Sequence, residues 1–298
     1  MVSTGLEREL IDLLAIFIIA GGVGVFVAKA TRVPYTIALL VAGFIVSVVG
    51  IDIGVRLTHD VIILVLLPPL LFEGAATTDV SNFRQNLPII AAVSILGLIL
   101  SIIVVGSAVH YFFEFEWLIA LLFAIIILPT DPVSVLAIFE EIGAPERLSV
   151  IVEGESLIND GLGVVLFTTV LGLISANATV AELVGLRPIT ELIIDIGLSI
   201  IGGAAVGLIA GYGVYRVMIN LDEHMTEIIL TILLAYGAFL LAEHYVNVSG
   251  VIATVAAGLL MGNRGREYAM SAQTKISVFN TWETGAFIAN TFIFVVLG

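Results

Sequence analysis

Cysteine is absent from the 298 residues, which excludes a disulfide framework and a thiolate metal centre. Charge is scarce as well, since Asp, Glu, Lys and Arg make up 12% of the chain, about half the share found in a soluble domain. Basic residues are the scarcer sign, with 11 Lys and Arg against 25 Asp and Glu for a formal charge of −14. That balance excludes a polybasic lipid-binding surface and a nucleic-acid partner. No stretch alternates polar and apolar residues over strand lengths, so a membrane β-barrel is excluded too.

What remains is sequence suited to hydrocarbon. With 60% hydrophobic residues and a mean hydropathy of +1.18, the chain lies far outside the range of a soluble domain and is expected to be an all-α polytopic membrane protein. Ten apolar segments follow in order. The first four run from Leu10 to Ala28, Pro34 to Gly50, His59 to Ala76 and Leu87 to Phe113. The fifth and sixth occupy a central run around Pro129–Phe167; the rest run from Pro188 to Ile219, Met225 to Ala242, Val251 to Met261 and Trp282 to Gly298. Pro68 and Pro69 are expected to kink the third. In the seventh, Gly202, Gly203, Gly207 and Gly211 permit close helix packing. The polar stretch from Gly262 to Asn280 is expected to be a loop or to lie along the membrane surface.

The basic residues set the orientation. Lys29, Arg32, Arg84, Arg147, Arg216, Arg264, Arg266 and Lys275 fall on one side, and Arg8, Arg56 and Arg187 on the other. The richer side is cytoplasmic, which puts the N-terminus outside. The acceptor sequons Asn177–Thr179 and Asn247–Ser249 both land on the outer side.

The chemistry concentrates in the central run, PTDPVSVLAIFEEIGAPERLSVIVEGESLINDGLGVVLF. Pro129 and Pro132 each remove a backbone donor and bias the preceding residue away from helix, so the fifth segment is expected to break at Thr130 and Asp131. A break in mid-membrane frees carbonyls from one half-helix and N–H groups from the other, and transporters use such ends to hold ions. In the sixth segment, Glu153, Ser156, Asp160 and Gly163 share one face, with Glu155 and Asn159 on the adjacent strip. Placing an Asp at the centre of a span costs about 2.5 to 3.5 kcal/mol, so an intramembrane carboxylate is a functional-site hypothesis by default. The stripe is rich in oxygen and free of sulfur and imidazole, which suits a hard cation. A carboxylate whose neutral and ionised forms are close in energy can exchange a proton for that cation. One site then has two mutually exclusive occupants.

At these residues the sequence resembles a known family. The strings TDP at Thr130–Pro132, GES and ND between Gly154 and Asp160, and LLPPLLFEGA from Leu66 to Ala75 are similar to those of the monovalent cation:proton antiporters, in the NhaP and Na⁺/H⁺ exchanger branch. The resemblance implies exchange of Na⁺ or Li⁺ for protons, with the ions as cargo and no resident cofactor. It implies that Asp160 carries ion and proton, that Glu155 and Ser156 help coordinate the cation, and that Thr130 contributes its backbone carbonyl. Asn159 in place of a second aspartate implies one-for-one, electroneutral exchange, and Asp131 compensates the half-helix ends. The implied fold has about thirteen spans in two inverted repeats with a linker helix. Residues 1–175 are then the first repeat, 176–219 the linker and 220–298 half of the second. The second broken helix would lie beyond Gly298, so these residues alone would leave the moving core incomplete. The resemblance and the glycine-rich seventh span imply a homodimer, in the plasma membrane.

Other functions meet obstacles in the same residues. A potassium:proton antiporter is the nearest rival and differs only in its ion. A cation channel lacks a repeated pore loop. An intramembrane aspartyl protease could pair Asp131 with Asp160, but the residues after Asp160 run Gly-Leu-Gly, the reverse of that class's order. Glu153 reads as a cavity rim or a solvated helix-end acid, and Glu73 as an interfacial or packing group. Asp195, four residues from Glu191, reads as a snorkelling or subunit-interface group. Trp282 and Glu283 read as an interfacial anchor. His59, His110, His224 and His244 read as solvated imidazoles near span ends.

Overall fold

The computed structural model describes residues 5–30, 35–49, 58, 61–130, 132–176, 186–221 and 223–298. Among the described residues there is no strand; the fold is all-α. In chain order the helices are α1 (Gly5–Ala30), α2 (Tyr35–Val49), α3 (Leu67–Thr77), α4 (Val80–Ala91), α5 (Leu98–Phe113), α6 (Trp117–Ile127), α7 (Val133–Ile142), α8 (Glu146–Ser175), α9 (Leu186–Met218), α10 (His224–Leu240), α11 (Gly250–Leu260) and α12 (Ala272–Leu297). π-Helical turns at Val61–Leu66, Ala92–Gly97, Leu241–Val246 and Met261–Gly265 adjoin several of them. By length and apolarity, Val80–Phe113, Glu146–Ser175, Ile193–Met218 and His224–Val246 reach across a bilayer, while Leu13–Val27, Tyr35–Val49, Val61–Thr77 and Trp117–Ile127 are shorter.

Helix ends depart from the hydropathy reading for a consistent reason. The fourth segment begins at Val80 rather than Leu87, because the Asp79 carboxylate accepts the Asn82 N–H and caps seven further residues, five of them polar, into the helix. Likewise, α12 starts at Ala272, where the Ser271 hydroxyl accepts the Thr274 N–H at 3.2 Å. Most of the polar stretch from Gly262 to Asn280 is therefore helical. Hydropathy marks where hydrocarbon begins, whereas capping marks where the helix begins. The segment expected to kink at Pro68 and Pro69 holds the π-turn Val61–Leu66, with both prolines in the first turn of α3.

Two compact units divide the chain, Met1–Glu73 with Phe279–Gly298, and Gly74–Val278. In the first, Ile16, Ala20, Leu39 and Val295 form a buried core. Tyr35 donates to the Ala20 carbonyl at 3.2 Å and stacks on Phe287. Trp282, expected as an interfacial anchor, is instead buried at 4% exposure with its ring 4.4 Å from that of Phe72. Its indole is core because a tertiary partner covers it.

In the second unit, Leu98, Ile102, Ala124 and Ile125 join α5 to α6, with Leu162, Leu166 and Phe167 of α8 against them. Helices α9 and α11 touch at the backbone. A Cβ on Gly203 would lie 2.4 Å from the Ser249 carbonyl oxygen, and one on Gly207 2.0 Å from that of Ala253. Gly203 and Gly207 are thus used within the chain. Asn263, after α11, bonds to the backbone at Thr78 and Val80, tying the π-turn Met261–Gly265 to the corner between α3 and α4. His110 is not freely solvated: its Nδ1 donates to the Phe115 carbonyl at 2.6 Å and the ring stacks on Trp117.

Candidate functional site

The expected break is present between α6 and α7. The last bond of α6 runs from Leu128 N to Ala124 O, and α7 opens with Leu136 N to Pro132 O. Between them lie Pro129 and Thr130, with Asp131 outside the described residues. Pro129 lies over α8, where Gly163 makes room for it. A Cβ there would stand 3.0 Å from the Pro129 ring.

Thr130 and α8 are joined twice. The Ser156 hydroxyl donates to the Thr130 carbonyl at 3.0 Å, and the Thr130 hydroxyl donates to Glu155 Oε2 at 3.3 Å. The other carboxylate oxygen, Oε1, accepts from Asn159 Nδ2. Glu155 therefore brackets the break and α8 together, with both oxygens engaged. A carboxylate accepts only, so the Asn159 amide must present its nitrogen to Glu155 and turn its carbonyl away. That carbonyl oxygen, Oδ1, is buried with no hydrogen-bond partner, in a residue 4% exposed. Buried acceptors are nearly always satisfied, so an open one calls for an explanation.

At about 100° per residue, the polar sector of α8 runs from Glu155 through Asn159, Gly163 and Ser156 to Asp160 and Glu153. Its middle, Asn159, Gly163 and Ser156, is buried. The two edges differ: Glu155 is half-buried and tied to the break, while Asp160 is exposed. Of the residues singled out in the sequence, Thr130, Glu155, Ser156 and Asn159 are brought into one bonded group. Asp160 adjoins it at the open edge of the same sector. Glu153 is half-buried about two turns before Asp160, and Asp195 is exposed on α9, while the side chain of Glu191 and residue His59 lie outside the described residues.

Sequence reasoning passed over Ser94, whose hydroxyl lies 3.4 Å from the Glu155 carbonyl. Its only signal was a hydroxyl in an apolar run, one of three serines there. Gly161 was also passed over, and Gly154 was read only as part of a motif. They let Ile90 with Phe83, and Ile252, approach the far face of α8.

The donor set is oxygen throughout: an amide carbonyl, a backbone carbonyl with a second lone pair, two hydroxyls and carboxylates. Such a set matches a hard cation.

The family profile described as "Sodium/hydrogen exchanger, transmembrane" matches residues 13–298. The Na⁺/H⁺ antiporter ApNhaP of Aphanothece halophytica is 35% identical over 273 residues, 90% of this chain and 50% of its own length. The Na⁺/H⁺ antiporter NhaG of Bacillus atrophaeus is 37% identical over 302 residues, 95% of this chain and 54% of its own. The chain thus spans about half the length of the curated relatives it matches. In structure, the sodium proton antiporter MjNhaP1 of Methanocaldococcus jannaschii shares the fold at a TM-score of 0.79 and 21% identity, over 98% of this chain and 70% of that one.

Proposed function

The chain belongs to the sodium/hydrogen exchanger family, and from that premise we propose that it works as a secondary antiporter, exchanging Na⁺ or Li⁺ for protons. The observation that carries the reading is the buried, unpartnered Asn159 Oδ1 beside the broken helix, within the group formed by Thr130, Glu155 and Ser156. The oxygen supplies a ligand for a dehydrated cation, and Asp160 at the open edge supplies the charge. Cation and proton compete for that carboxylate, which couples the two fluxes. Glu155 holds the break to α8, and Asp131 compensates the half-helix ends. The protein sits in the plasma membrane with its N-terminus outside, its repeats divided at 1–175, 176–219 and 220–298. Homodimerisation rests in this reading on family likeness, because Gly203 and Gly207 of α9 face α11.

Three measurements test it on the full-length protein. An imposed pH gradient is expected to drive accumulation of ²²Na⁺, with Li⁺ competing and K⁺ not. Failure of acid to release bound Na⁺ from the purified protein would contradict competition at one carboxylate. Stoichiometry is read from voltage. An uncompensated charge crossing the membrane feels about 2.3 kcal/mol per 100 mV, so one-for-one exchange predicts initial rates that stay level across a potassium–valinomycin series. A steep voltage dependence would exclude it.

A further inference from the structure

Ser94 lies in the π-helical turn Ala92–Gly97 and is wholly buried. Its hydroxyl has one hydrogen and two carbonyl acceptors, Ile90 O at 2.8 Å on its own helix and Glu155 O at 3.4 Å on α8. The first bond is local; the second reaches the backbone of the residue whose carboxylate holds Thr130 and Asn159. Next to it, Gly154 is seated by α4, since a Cβ there would meet Ile90 Cδ1 at 2.7 Å and Phe83 Cε2 at 3.0 Å. Phe83, Ile90 and Ser94 together form a socket for the turn of α8 at Gly154–Glu155. The apolar part of that socket fixes how closely α8 approaches but allows it to slide along its axis, because dispersion contacts are not directional. The serine hydroxyl is directional. π-Turns inside helices occur frequently at functional sites.

We propose that Ser94 is a positioning residue for cation binding. By holding the Glu155 peptide carbonyl it fixes the height of α8 against the helix break, and so the placement of Asn159 Oδ1 and the Thr130 carbonyl around the ion. It does not touch the ion. Its effect falls on affinity rather than on turnover, because the socket is set before either ion arrives. The inference rests on the antiport reading above, and the variants are chosen so that either can fail alone.

Initial ²²Na⁺ uptake is measured against Na⁺ concentration and pH for Ser94→Ala, Ser94→Thr, Ile102→Val and Asp160→Asn, all in the full-length protein. Losing the longer arm of a shared buried hydrogen bond, at the weak end of the usual range, changes an equilibrium about two- to threefold. Ser94→Ala is therefore expected to raise the KM for Na⁺ by about that factor with the maximal rate unchanged. Protons then compete more effectively, and acid inhibition moves to higher pH. Ser94→Thr keeps the hydroxyl and is expected to stay with the parent in both readouts. Ile102→Val removes a methyl from the buried α5–α6 contact, and is expected to lower thermal stability with no change in KM. An alanine variant with parental KM and pH profile, or alanine and threonine variants that behave alike, would overturn the positioning role while Asp160→Asn stays inactive. Sodium uptake surviving in Asp160→Asn would instead overturn the antiport reading.

Discussion

Replacing Asp160 by asparagine in the full-length protein is expected to abolish sodium uptake driven by a pH gradient while leaving the fold intact. The two side chains have nearly the same shape, and Asp160 is exposed on the edge of α8, so the new amide is not forced into a dry contact. The electrostatic change is large by comparison. A carboxylate about 4 Å from a monovalent cation attracts it by about 4 kcal/mol at an effective dielectric constant of 20. Removing that attraction weakens binding by at least about a hundredfold, even after partial offset by the amide dipole. The amide also has no proton to release, so coupling to pH is lost with the affinity. The check is ²²Na⁺ uptake in liposomes alongside the thermal midpoint of the purified variant. An unchanged midpoint with uptake at the level of empty liposomes is the expected pair. Accumulation of ²²Na⁺ at even a tenth of the parental rate would move the coupling to another group.

The second large effect lies away from the ions. Gly207→Leu is expected to disrupt the second unit, because a Cβ at that position would stand 2.0 Å from the Ala253 carbonyl oxygen and 2.8 Å from its carbon. Those are backbone atoms of α11, so no rotamer change can relieve the overlap. The helices must separate, and overpacking of this kind costs on the order of 3 kcal/mol or more. Gly213→Leu on the same helix is the control, since nothing lies within 4 Å of a Cβ there. Both variants lower the flexibility of α9 to the same extent, so their difference isolates the contact. The measurement is the half-life of the monodisperse protein in detergent at fixed temperature, a rate being the sound readout where unfolding is irreversible. A Gly207→Leu half-life equal to that of Gly213→Leu would mean that α9 and α11 do not meet at the backbone.

Both expectations depend on knowing which side of a helix faces what, and there the sequence was an uneven guide. Around the central run it placed the interruption between Leu128 and Pro132, since two prolines in four residues act on their own peptide units whatever surrounds them. The polar sector of α8 was equally legible, as helical periodicity alone aligns Glu153, Ser156, Asp160 and Gly163. Which part of that sector meets the break was not. The structure turns Ser156 and Asn159 inward, ties Glu155 to Thr130 and leaves Asp160 at the open edge. A periodic pattern gives angles between residues on one helix; it carries no reference direction to a second helix.

The same distinction separates the remaining cases. The amino-acid sequence by itself determined an all-α membrane chain, the discontinuous helix, the oxygen-rich stripe and the family, because hydropathy, proline geometry and short motifs act within a few residues. Tertiary structure decided that Gly203 and Gly207 of α9 lie against α11, that Trp282 is core beneath Phe72, and that a serine 61 positions before Glu155 reaches its carbonyl. Those outcomes depend on which distant surfaces meet in the folded chain, and a contact between helices far apart in sequence leaves no trace in the local pattern of either one.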